Sequence, residues 1–263
     1  MTKIFAFILL LLLFTDQIVF SQRGPKRDRG PEIEKIFQET GLEPRFPDNF
    51  SCPAITSAFG ARTDGAGTLR DTSIHSGTHG GVDINLKIGQ PLIAISNGEI
   101  IFKGPKEGTG AQMEGIFVWL RHSPLDTGLP FWTFSKYQHL KELPILNNGD
   151  RVKAGQIFAL GGDTGTYSKK FGGSLPHLHI STFIKENSDF DILANNQIRL
   201  LGSYHVDTMV LFIKDITLNK IKDENYLEKV EKKIPVHAAD SNGLYSKSDA
   251  KIFWPVACNI QKV

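Results

Sequence analysis

The sequence lacks several things, and each absence closes a door. Acidic and basic residues nearly cancel, 28 against 30, leaving a formal charge of +2. Without a basic excess or a basic stripe, nothing supports a nucleic-acid binder. Cysteine is scarce: Cys52 and Cys258 are the only two. Neither sits in a local pattern that activates a thiol, which argues against cysteine catalysis. The templates H-E-x-x-H, G-x-S-x-G and G-x(4)-G-K-[ST] are absent, as are internal repeats and low-complexity tracts.

What is present fits a globular protein with an address. The 263 residues are 40% hydrophobic and include 25 glycines, enough for a buried core with many tight turns. Lys3 precedes "IFAFILLLLLF", an apolar run of about 11 residues where a bilayer span needs about 20. Residues 1–21 therefore read as a secretory signal cleaved near Ser21. An uncleaved anchor, formed by adding "IVF" after Asp16 and Gln17, is the competing reading. Export to the periplasm, cell envelope or exterior permits a disulfide between Cys52 and Cys258, with two separate buried thiols as the alternative.

Texture divides the rest. Residues 22–50 hold a breaker-rich basic linker, "SQRGPKRDRG", and then "PEIEKIFQETG", predicted as a short amphipathic helix stopped by Gly41. Over 51–186 short β-prone runs alternate with Gly, Asn and Asp. "PLIAISNGEIIFKG" predicts two strands joined at Asn97-Gly98 in a type I′ hairpin. "IFVWLRH", "FWTFSKYQHL", "GQIFALGG" and "PHLHISTFI" continue the series, so the expected fold is mainly β, an antiparallel sheet with short flanking helices. Residues 187–263 form an extension of unassigned role, possible packing on the domain included. Within it, "DENYLEKVEKK" predicts an exposed helix and "KIFWPVACNI" a last strand.

The chemistry concentrates in a few histidines. His177 and His179 lie two apart, so on a strand both imidazoles point to one side. Upstream, "HSGTHGGVDINL" places His79 four residues before Asp83, with Gly80 and Gly81 between them letting the backbone curl. Imidazole and carboxylate are both good zinc ligands, and three protein ligands with an open fourth position make a catalytic site. "KYQHL" adds His139.

"HGGVD", "YQHL" and "PHLHI", in that order, resemble the H-x(3)-D, Y-x-H and H-L-H signature of the lysostaphin/LytM-type (M23) zinc endopeptidases. "AITSAFGAR", "GQPLIAISNGEI" and "GDRVKAGQIFALGGDTGTYS" around them agree, and the likeness covers roughly residues 51–184. The x(3) interval separates this pattern from cell-wall metallo-carboxypeptidases, which use a longer one. The resemblance implies an open groove in the sheet and one Zn2+ per chain, held by His79, Asp83 and His179. It implies that His139 and His177 act on the attacking water and on the charge at the scissile carbonyl. It further implies peptidoglycan peptides as substrate, with a noncatalytic module that binds or activates another wall hydrolase as the alternative.

The remaining residues carry blander expectations. His75 is expected in a solvated loop, His122 at a polar strand edge, and His205 and His237 in structural roles. Tyr137 is expected to pack, although alternation puts it on the face of His139. Asn49, in "PDNFSCP", lies in no motif that would make it a blocking ligand. The insert "LRHSPLDTGLPFWTF" is expected to form a groove-side loop.

Overall fold

The computed structural model describes residues 34–35, 39–65, 67–72, 77–105, 114–170, 172–194 and 197–261. The expected signal segment, most of the linker and His75 lie outside the described residues. Among those described, no helix is long and apolar enough to cross a membrane.

Nine strands form the main sheet, and the strand His177–Lys185 is its hub. Along "HLHISTFIK", Leu178, Ile180, Thr182 and Ile184 are buried on one face, and period-two alternation sends His177, His179 and Ser181 to the other. One edge of this strand pairs antiparallel with Trp132–Leu140. The other edge is shared: Val82–Asn85 takes His177 to Ile180, and Tyr204–Val206 takes Thr182 to Ile184. Beyond Trp132–Leu140 come Ile116–His122, Gly98–Gly104 and Arg151–Val152, while Ile55–Ser57 pairs outside Val82–Asn85. The mainly antiparallel β architecture is the one expected.

Several local expectations change. At Glu34–Lys35, inside the predicted helix, the backbone is a strand paired parallel with Tyr204–His205; an open sheet edge outweighs weak helical propensity. The hairpin at Asn97-Gly98 does not form. Pro91–Ile93 pairs with Ile157–Leu160 in a separate two-stranded sheet, and Gly98–Gly104 belongs to the main one. Gly98 is needed for room: a Cβ there would lie 2.5 Å from His122 Nδ1. The insert after His122 is not beside the histidines. It contains a one-turn helix, Pro124–Thr127, with a Ser123–Asp126 capping box. It joins the end of Trp132–Leu140 opposite His139, some seven residues or about 24 Å away.

The C-terminal extension packs on the domain. Met209, Val210, Leu211, Ile234 and Trp254 share one buried cluster with Phe59, Val82, Ile84, Leu178 and Ile180. Its "DENYLEKVEKK" stretch is helical only over Glu224–Lys229, and "KIFWPVACNI" contributes a strand only at Asn259–Ile260. The fold also reaches back into the expected linker, where Glu43–Arg45 pairs parallel with Lys233–Pro235 and Leu42 is buried. Cys52 and Cys258 are disulfide-bonded across 206 positions.

His122 is fully buried rather than at an edge. Its Nδ1–H donates to Asn97 O (2.7 Å), and Nε2 accepts from Ser135 Oγ (2.8 Å). Burial is the main cause that pulls its pKa from 6.5 to about 4. The unfolded chain takes up this proton near pH 6.5, the folded chain only near pH 4. The His122 contribution is therefore intact above pH 6.5 and falls away by about 3 kcal/mol as pH drops towards 4. Thermal melts over this range should decline less steeply for His122→Gln than for the wild-type chain. Equal slopes would reject the assignment.

Candidate metal centre

His79 sits in the turn before Val82–Asn85, where its backbone is pinned on both sides. His79 N donates to Ala61 O (3.0 Å), and its carbonyl accepts from Gly60 N (2.9 Å). Gly81 helps by having no side chain, since a Cβ would stand 2.5 Å from His179 Nε2 and 2.7 Å from Ile180 O. Its φ is not left-handed, so close approach rather than curl explains this glycine. Asp83 and His179 are direct cross-strand partners, which puts their side chains on one face in contact.

The result is a tight triangle. His79 Nε2 lies 3.1 Å from Asp83 Oδ1 and 3.1 Å from His179 Nδ1, and His179 Nδ1 lies 2.8 Å from Asp83 Oδ1. Hydrogen bonds on the far sides of the rings fix where the protons are. His79 Nδ1 faces the carbonyl of Ala58 at 2.9 Å; a carbonyl only accepts, so Nδ1 carries a hydrogen, and in the neutral ring the lone pair sits on Nε2. Ser181 Oγ–H donates to Gly80 O (2.9 Å) and accepts from His179 Nε2–H (3.1 Å), leaving His179 Nδ1 bare.

Burial pulls the His179 pKa down to about 4, partly offset by Asp83, so its ring is neutral at pH 7. For Asp83, burial pushes upward, but the adjoining His179 and His79 rings outweigh it and hold the carboxyl well below its usual value. With both rings neutral, three lone-pair atoms face one another, an arrangement that suits a bound cation. Two imidazole nitrogens and one carboxylate oxygen suit zinc, whose ligands at about 2.0–2.2 Å stand a little over 3 Å apart. These three residues form a candidate metal site among the described residues.

Two more imidazoles complete the cluster. His177 Nδ1–H donates to Leu175 O (2.9 Å), and its Nε2, the lone-pair atom of the neutral ring, faces the centre 3.7 Å from Asp83 Oδ1. His139 Nδ1–H donates to Thr164 O (2.8 Å), which leaves its Nε2 bare as well. The His139 ring centroid is 4.6 Å from that of His177 and 6.1 Å from that of His179. Burial, reinforced by His177 and His179, pulls the His139 pKa down to about 3, so it meets a substrate as a neutral acceptor.

His139 reaches this position through a break in strand regularity. Between the pairs Val118↔Tyr137 and Ile116↔Leu140, two residues, Gln138 and His139, oppose Phe117 alone. His139 takes up the extra length at φ 62°, as in a β-bulge that re-aims a side chain. Tyr137 and His139 therefore part company. Tyr137 is buried in the core, its hydroxyl donating to Ile93 O and accepting from Ile95 N, each at 2.9 Å.

All five residues singled out from the sequence meet here. The supports were missed: Ser57, whose Oγ lies 3.2 Å from His79 Nδ1, and Ala58, Thr164, Leu175 and Ser181. Ser181 alone had a visible signal, since it continues the His177, His179 alternation. Asn49 has no part in the cluster; its carbonyl accepts from Gln261 N (3.0 Å). His205 stacks on Phe183 at 4.2 Å.

A sheet that gathers three candidate metal-binding groups and two further imidazoles has the makings of a metallohydrolase. Residues 77–191 match the model of Peptidase family M23. Over 106 residues it is 37% identical to glycyl-glycine endopeptidase ALE-1 of Staphylococcus capitis, covering 40% of this chain and 25% of that one. Over 116 residues it is 34% identical to lysostaphin of Staphylococcus simulans, covering 44% and 20%. The chain thus spans a quarter or less of the length of these curated relatives. Among solved structures, the catalytic domain of the antimicrobial peptidase lysostaphin from Staphylococcus simulans is 32% identical, with 45% of this chain and 77% of that one covered at a TM-score of 0.34. That overlap adds nothing to the sequence match.

Proposed function

We propose that this chain is an exported zinc endopeptidase that hydrolyses peptide bonds in bacterial cell-wall peptidoglycan. The observation that carries the proposal is the convergence of bare His79 Nε2, Asp83 Oδ1 and His179 Nδ1 within 3.1 Å of one another. These residues would hold zinc, which when bound makes a water nucleophilic near neutral pH and polarises a carbonyl. His139 and His177, each with a bare Nε2, take the proton from the attacking water and return one to the leaving amine. Their Nδ1 hydrogens, tied to main-chain carbonyls, keep both rings in the tautomer this requires. The resemblance to cell-wall endopeptidases and the glycyl-glycine endopeptidase among the relatives support the substrate class.

The purified chain is expected to contain about one zinc and to release peptide fragments from wall sacculi, read by mass spectrometry. Chelation should stop the release and added zinc restore it. A chain that neither holds nor regains zinc would be a noncatalytic module instead.

A further inference from the structure

Both candidate catalytic imidazoles take their orientation from one segment, residues 161–176, and its two limbs are not held alike. The first limb is fastened to strand ends. Gly161 N donates to Gln90 O (2.9 Å) and its carbonyl accepts from Gly89 N (2.8 Å). Thr164 Oγ1–H donates to Leu140 O (2.7 Å) and accepts from Ile116 N (2.9 Å). The Thr164 carbonyl, which holds His139, is thereby fixed by the sheet itself.

The second limb, 172–175, is exposed, with Leu175 at 59%. Gly172 N and Gly173 N donate to Lys169 O (3.2 Å) and Ser168 O (2.9 Å), which tie it only to the neighbouring one-turn helix Tyr167–Lys170. Among the described residues, a side-chain hydrogen bond joins it to the anchored limb: Ser174 Oγ–H donates to Asp163 Oδ2 (2.7 Å). Lys169 Nζ, 3.3 Å from the same oxygen, closes the staple. Asp163 is buried, at 5% exposure. A buried carboxyl group turned to an exposed limb needs a purpose, and the next carbonyl along, Leu175 O, is the acceptor for His177 Nδ1–H.

We propose that Asp163 is a positioning residue: through Ser174 it fixes the Leu175 carbonyl and so holds the His177 imidazole with Nε2 directed at the reacting centre. The staple serves His177 and leaves His139 alone, because the His139 acceptor lies on the limb the sheet already anchors. The role in hydrolysis rests on the function proposed above, but the orientation of the ring does not.

The test compares Ser174→Ala, Asp163→Ala and Asp163→Asn with the wild-type chain, all at full length and checked for equal zinc content. Imidazole nitrogen NMR should report His177 as a single Nδ1–H tautomer in the wild type and as an averaged pair in Ser174→Ala and Asp163→Ala. His139 should be unchanged in both. Asp163→Asn, which keeps an acceptor for Ser174, should recover most of the wild-type pattern. On soluble wall fragments, kcat should fall 10- to 100-fold, on the order expected when a reacting group is misplaced, with KM within about twofold.

Ser174 is exposed, so its variant stands even if Asp163→Ala fails to fold. A wild-type His177 pattern in Ser174→Ala, or equal averaging of His139, overturns the proposal. A chain that cleaves no fragment removes the proposed function, and the nitrogen spectra still decide the positioning role.

Discussion

Alanine in place of His139 should leave the zinc content near one per chain while hydrolysis falls by about 10²- to 10⁴-fold, the usual contribution of a positioned acid or base. The reasoning is geometric. His139 offers no atom to the triangle of His79, Asp83 and His179, and its ring centroid stands 6.1 Å from that of His179. Its Nδ1–H is committed to Thr164 O, so only Nε2 is free to exchange a proton with substrate. His179→Ala is the opposite case: it removes a corner of the triangle, and metal should be lost along with activity. Metal analysis beside an assay on sacculi separates the two variants. Zinc loss from His139→Ala would show that the roles are wrongly divided.

Reduction of the Cys52–Cys258 disulfide should remove on the order of 5 kcal/mol of stability. The bond closes a loop across 206 positions, and in the chain-entropy model the cost of losing a crosslink rises with loop length. A domain is ordinarily stable by only about 5–15 kcal/mol, so the reduced protein should be marginal. The position of the bond sharpens the expectation. Cys52 follows Phe50–Ser51, which pairs with Asn259–Ile260 directly after Cys258, and three residues later Ile55–Ser57 lines the Asp83 strand. Urea unfolding with and without reductant, and of the Cys52→Ala/Cys258→Ala double variant, measures the effect. Coincident midpoints would mean that the sheet pairing alone closes the molecule.

The candidate site was legible because it rests on short-range rules. His177 and His179 share a face by strand alternation, and Asp83 follows His79 at an interval the M23 signature prescribes. What escaped depends on contacts between distant parts of the chain. Alternation puts Tyr137 and His139 together, and only the extra residue opposite Phe117 pulls them apart. Asn97-Gly98 looks like a hairpin turn, yet Gly98 answers to the ring of His122, 24 residues away. The carbonyls of Thr164 and Leu175 have no side-chain identity to announce them. Likewise, the strand at Glu34–Lys35 follows from a sheet edge supplied 170 positions later.

The shared interior described for Phe59, Ile84, Met209 and Trp254 makes the last third of the polypeptide a structural wall rather than cargo. Excising the family-matched portion would lay bare the oily side of the very sheet that aims the histidines. The histidine cluster and the C-terminal tail must therefore fold together.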